Sequence, residues 1–245
     1  MKKPSFIVSL ELSARRRRFR LFRELLSSIA MHDRPVTIID IGGTWAYWRQ
    51  MEWSTLGDID VVLLNISTDE SVPPPFRTVT YGGCDLSQYA DHEFDVVYSN
   101  SVLGHVGTIA DQLQFAKEIR RIGRSYFVQT PNQHFIIDWR TLVPFFHLLP
   151  VHWQAWCFRH VSVGMYSRIH DYQASLGHAT RVRNVTADEL RRFFPDGTIV
   201  RERVIGLTKS FIIHAGFVGQ SVSLISSSRG EAAPTPAGKL KESGY

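Results

Sequence analysis

The sequence predicts an α/β fold: a mostly parallel, seven-stranded sheet flanked by helices, with an aromatic-rich insertion after the fifth strand. Three observations carry this. Short β-branched runs alternate with stretches of helical spacing, the first run ends in a glycine pair that leads into a helix, and residues 133–183 break the rhythm and crowd aromatic side chains together.

Size and composition set the frame. At 245 residues, 44% hydrophobic and 21% charged, the chain can bury one large core and is not a mainly disordered one. Cys84 and Cys157 give neither a disulfide framework nor a zinc pattern, so no metal site is expected and a reducing, cytoplasmic setting fits. The Phe6-to-Leu10 run is too short and too soon followed by charge for a secretory leader, and no long uninterrupted apolar run occurs. A soluble chain is expected, with contact at a membrane surface left open.

The elements follow in order. Within residues 1–30, Arg15, Arg16, Arg17, Arg18, Arg20 and Arg23 mix with Phe19, Leu21, Phe22, Leu25 and Leu26, which makes a basic amphipathic helix. The simplest reading is a solvated helix laid across the sheet; the alternative is contact with phosphate or an anionic lipid head. Nucleic acid is not expected, because no basic tract interleaved with aromatics recurs. Strands are expected at Val36 to Asp40, Asp60 to Asn65, Thr78 to Tyr81, Phe94 to Ser99, Ser125 to Thr130, Thr198 to Val204 and Lys209 to His214.

Helical segments are expected from Ala46 to Trp53, from Ile109 to Ile122 and from Thr186 to about Phe194. The last is announced by Thr186 as N-cap with Glu189 three residues on. Gln133 to Arg183 is read as a lid or insertion. Its Leu142-to-Pro150 stretch is too apolar for an exposed loop unless it faces an apolar acceptor, a partner or a membrane. Residues 226–245, rich in Ser, Gly, Pro and Lys, read as a disordered tail.

The stretch Asp40-Ile41-Gly42-Gly43-Thr44-Trp45-Ala46-Tyr47-Trp48 joins a buried strand to a helix through two glycines, which lets backbone N–H groups approach a ligand closely. It resembles motif I of class I S-adenosylmethionine-dependent methyltransferases, in the Asp-x-Gly-Gly-Thr variant. Strand two ending at Asn65 and the Gly83-Cys84-Asp85-Leu86 loop match in order, and Phe94 through Val106 is similar to the fourth-strand signature of the type 11 small-molecule group. The resemblance spans about residues 36–132.

That resemblance implies a Rossmann-like fold, with a methyltransferase domain over 31–225 and 133–183 as its lid. It implies S-adenosyl-L-methionine as cofactor and a small-molecule, glycan or lipid acceptor, methylated on oxygen rather than nitrogen. Asp40, Gly42 and Gly43 are then the contacts to the cofactor's amino-acid part, and Asn65 to the ribose. Asp85 and Leu86 would meet the adenine, while Ser99 and Asn100 would lie beneath the methionine end. His105 and His134 are candidate bases for a hydroxyl acceptor. Thr44 and Ala46 stand where motif I has glycines, Asn65 where a carboxylate is usual, and Gly104 where many relatives carry Glu.

Plainer readings stand beside these. Asp40 and the glycines, or Asp85, could serve only a tight turn, and His105 could be a packed or capping residue. A methyltransferase-fold scaffold without activity is the second functional reading. A dinucleotide oxidoreductase is excluded by the absence of Gly-x-Gly-x-x-Gly.

Overall fold

The structure, a computed structural model, describes residues 5–29, 33–67, 71–80, 86–137 and 141–217, with side chains from residue 8 onward. Asp85, Trp139 and the tail expected over 226–245 lie outside the described residues.

Seven strands run β1 (Val36–Ile41), β2 (Ile59–Asn65), β3 (Phe76–Thr80), β4 (Phe94–Asn100), β5 (Gly123–Pro131), β6 (Thr198–Val204) and β7 (Leu207–Ala215). They form one sheet in the order β3-β2-β1-β4-β5-β7-β6. Pairing is parallel from β3 through β5, and only β7 runs antiparallel to its neighbours. The expected strands are thus all present, several longer by one to three residues, because backbone pairing continues past the apolar pattern. The helical turn region expected from Ala46 to Trp53 is a single turn, α2 (Trp45–Trp48), followed by a 3₁₀ turn at Trp53–Leu56. The chain bends there because Trp45, Trp48 and Trp53 all pack around Phe76, at ring distances of 5.2, 5.3 and 5.1 Å.

Strand alternation divides the core into two faces. Ile39, Ile41, Val62, Leu64, Val97 and Val128 pack against Phe115, Ala116, Ile119 and Ile122 of α3 (Ile109–Ile122) and Leu190 and Phe193 of α6 (Ala187–Phe193). Ile38, Val61, Leu63, Val96, Tyr98 and Phe127 pack against Phe19, Phe22, Leu25 and Leu26 of α1 (Ser5–Leu26), and against Trp48. The apolar residues of α1 recur at helical spacing, so one stripe covers the sheet while Arg16, Arg17 and Arg20 stay exposed. Reciprocal capping boxes start α3 at Thr108 and Asp111, and α6 at Thr186 and Glu189, the second as expected from the sequence.

After β5 the chain leaves the sheet at Asn132 and returns at Val185, where the two segments bridge and Gln133 N–H donates to the Val185 carbonyl at 3.1 Å. Between them lie α4 (Val151–His160) and α5 (Tyr172–Thr180), closed around a small core of Phe146, Phe158 and Val163.

Candidate active site

β1 and β4 are neighbours, and successive crossovers diverge from them toward opposite edges of the sheet. In such sheets the crevice at the carboxyl ends of those two strands receives ligands. A cavity of about 630 Å³ sits there. Its lining comes from the turn after β1 (Gly42, Gly43, Thr44), the end of β4 (Asn100, Ser101), the end of β5, α1, the segment after β5, and β7.

The turn after β1 has room only for glycine at its centre. Gly42 has φ of +78°, and a Cβ there would collide with the Val102 methyl; a Cβ on Gly43 would collide with the Asp40 carboxyl. Bare backbone is therefore exposed to the cavity at the one place where the strand hands over to a helix. Thr44 caps α2 with its hydroxyl, accepting from Tyr47 N–H.

Asp40 is almost fully buried and lines the cavity. Trp48 Nε1–H donates to its Oδ2 at 2.7 Å. Burial pushes the Asp40 carboxyl up to about 8, against the lowering effect of the Trp48 bond. Behind it, the Tyr47 and Tyr98 hydroxyls share a 2.5 Å hydrogen bond, and burial raises both phenols, Tyr47 to about 12.

Arg18 departs from the solvated reading of the basic helix. Its side chain is buried, its Nη1 donates to Asn100 Oδ1 at 2.5 Å, and its Nε lies 3.1 Å from Glu202 Oε1 as an ion pair outside hydrogen-bond geometry. Glu202 in turn accepts from Ser210 Oγ at 2.5 Å. Arg18, Phe22 and Leu25 follow i, i+4, i+7, so helical spacing was the signal that places this arginine on the inner face. Glu11 and Arg15 join it on the cavity wall, with Lys209 opposite from β7. Burial and the charges of Arg18 and Arg15 lower the Lys209 ammonium, partly offset by Glu202 and Glu11.

At the other end, His105, Gln129, Asn132, His147 and Asn184 line the cavity. His147 Nε2 lies 2.9 Å from the Gln133 carbonyl, which can only accept, so Nε2 carries a proton there. His147 Nδ1 and Asn184 Oδ1 are both buried without a hydrogen-bonding partner among the described residues. The Asn184 rim is held by Arg183, which pairs with Glu189 and donates to Gln112 Oε1 at 2.7 Å. Arg183 N–H also donates to the Gly104 carbonyl at 2.8 Å, so the position lacking the relatives' Glu is packed against this rim.

Of the residues expected from the sequence, Asp40, Gly42, Gly43, Asn100 and His105 meet around this cavity. Asn65 does not line it: its amide donates to the Gly43 carbonyl at 3.1 Å and its oxygen accepts from Ile66 N–H, so it braces the glycine turn. Ser99 is fully buried and donates to the Ile41 carbonyl. Leu86 is core, with its carbonyl taken by Arg121. His134 is exposed and outside the lining, because Asn132 Oδ1 turns the chain there by accepting its N–H; His147 comes into the cavity instead.

The residues present fit S-adenosylmethionine. The paired-glycine turn would be filled by any Cβ, and it offers backbone beside a buried carboxyl that an ammonium would neutralise. Residues 42–126 match the family model described as a methyltransferase domain. No curated protein sequence matches the chain. Among solved structures, the chain in complex with the Haloferax volcanii Trm112 methyltransferase activator is 12% identical, covering 83% of this chain and 90% of that one with a TM-score of 0.47. An S-adenosylmethionine-dependent methyltransferase from Aquifex aeolicus is 10% identical over 80% and 87% of the two chains, with a TM-score of 0.43. One from Methanosarcina mazei is 14% identical over 75% and 92%, with a TM-score of 0.42. The family match falls on the segment that forms the glycine turn, β2, β4 and α3: over residues 42–126 the chain is similar to a methyltransferase domain, and its sheet has the Rossmann-like, mostly parallel order expected from the sequence.

Proposed function

We propose that the chain transfers a methyl group to oxygen of a hydroxyl-bearing small-molecule, glycan or lipid acceptor. The observation that carries this is the pair of imidazoles, His105 and His147, that line one cavity, since a hydroxyl acceptor is helped by a base where an amine can do without one.

Asp40, the Gly42 and Gly43 backbone and Asn100 hold the cofactor's methionine end, while Asn65 acts one step removed, through the Gly43 carbonyl. Bound there, S-adenosylmethionine supplies an electrophilic methyl group with its leaving group already activated. The chain has to hold the acceptor oxygen in line with that methyl and keep water out. His147, its ring oriented by the Gln133 carbonyl, takes the hydroxyl proton; His105, on the β4 side of the same cavity, is the alternative base. Residues 133–183 serve as the lid that carries His147 and so selects the acceptor.

The test is a radiolabelled methyl-transfer screen against sugars, hydroxylated lipids and aromatic metabolites, run on wild type, His147→Ala and His105→Ala. His147→Ala should lower kcat by roughly 100-fold while cofactor affinity by calorimetry stays unchanged. Full activity in that variant removes His147 from the reaction, and transfer confined to amines overturns the oxygen assignment.

A further inference from the structure

The segment that brings His147, Met165 and Tyr166 to the cavity presents the opposite of a soluble surface on its outside. On α4, Ala155 and Phe158 face inward, while Trp153 and Trp156 stand on the outer face, 64% and 54% exposed. Phe145, Leu148 and Leu149 on the preceding loop are exposed too, with Phe145 itself in the left-handed region at φ 61°. An amphipathic helix laid on a protein core keeps its outer face polar; here both faces carry aromatic residues.

The rim of this patch is cationic. Between residues 141 and 182 stand three arginines against one acid, Asp171, and the Asp171 carboxylate is occupied in capping α5, accepting from Ala174 N–H at 2.6 Å. Arg159 lies at the end of α4, and Arg168 Nε–H donates to its carbonyl at 2.8 Å, so both exposed guanidinium side chains belong to the same corner. No helix among the described residues is long and apolar enough to cross a membrane.

We propose that the outer face of α4 and the loop from Val143 to Leu149 dock on an anionic lipid bilayer, with the two tryptophans at headgroup depth and Arg159 and Arg168 on lipid phosphates. Tryptophan has the amphipathic ring suited to that depth, and arginine pairs with phosphate through its planar fork. A second copy is the poorer occupant, since a two-fold interface made by this face would cover Arg159 and Arg168 of both copies with no acid between residues 141 and 183 to pair them except Asp171, which caps α5. Docking this way brings a cavity wall to the bilayer surface. Only that last consequence, delivery of a lipid acceptor, rests on the methyl-transfer reading.

Flotation of the full chain with vesicles tests the docking without any turnover. Wild type should float with phosphatidylcholine vesicles containing phosphatidylglycerol and less with phosphatidylcholine alone. Trp153→Glu with Trp156→Glu should weaken binding roughly tenfold or more, and Arg159→Glu with Arg168→Glu should erase the preference for anionic vesicles. Calorimetry with S-adenosylmethionine on the same variants should read as wild type, which separates a failed docking surface from a failed cofactor site. If the tryptophan pair variant melts early, Leu148→Glu on the loop probes the same face. Wild type that floats with neither vesicle, or variants that float like wild type, overturn the proposal. So does a wild-type dimer that the tryptophan substitutions convert to monomer, because then a second copy covers the patch.

Discussion

The Trp48 indole N–H reaches back over the glycine turn to the Asp40 carboxyl at 2.7 Å, so the first helical turn after β1 holds the buried acid at the end of that strand. Burial outweighs this bond, and the carboxyl is pushed up to about 8. The acid is therefore mostly protonated near neutrality until a cation arrives.

Binding of a ligand ammonium at Asp40 should accordingly release a proton. Affinity for S-adenosylmethionine should climb as pH rises toward about 8, by up to tenfold per unit in the lower part of that range. Calorimetry in buffers of different ionisation enthalpy checks this directly. Stability has the opposite slope: the folded value lies above the unfolded 3.8, so the contribution is complete below about 4 and falls as pH rises toward 8. Asp40→Asn should flatten both profiles, seen in melts across that range.

Gly42→Ala should cost more than the usual glycine replacement. The positive φ alone is worth about 1–2 kcal/mol, and the collision with Val102 adds to it. Gly42→Ala with Val102→Ala should recover the collision part in urea melts yet still bind cofactor weakly, because the new methyl occupies the cradle.

Arg18→Ala should leave the half-buried Glu202 without its cation and destabilise the protein by about 1–3 kcal/mol. Arg18→Lys should recover little of it, since one ammonium cannot serve Asn100 and Glu202 together. Denaturant titration measures both, and the Asn100 contact predicts weaker cofactor binding alongside.

Acid stability should depend on the far end of β1 and β4. Arg34 donates twice to Asp95, at 2.6 and 2.8 Å, and Thr37 adds its N–H and hydroxyl. The Arg34 hydrogen bonds hold the Asp95 carboxyl down at about 2. A folded value below the unfolded one gives stability that is full above about 4 and lost as pH falls toward 2. With Arg34 half exposed, solvent screening reduces the effect to about 1–2 kcal/mol. Arg34→Ala should raise the acid unfolding midpoint without changing cofactor affinity.

What was legible in the sequence was whatever local chemistry writes. Short β-branched runs between stretches of helical spacing announced the seven strands, the Thr186 and Glu189 pair announced α6, and Gly42 and Gly43 announced a turn that tolerates no side chain. The break of the Ala46-to-Trp53 turn region into α2 and a separate 3₁₀ turn was not legible, because packing of three indoles on Phe76, a residue of another strand, sets where the chain bends. Asn65 and Ser99 sit in the segments expected, but their side chains turn to backbone carbonyls rather than to the cavity.

The sequence by itself determined the sheet, the glycine cradle and the cofactor class, since each depends on neighbours along the chain. Only the tertiary structure decided that His147 rather than His134 lines the cavity, that Arg18 is a buried wall residue, and that Trp153 and Trp156 face outward. Those facts depend on where a 51-residue excursion from Gln133 to Arg183 and an N-terminal helix come to rest against strands far away in sequence. Side-chain direction there follows from three-dimensional packing, which periodicity along the chain constrains only within each element.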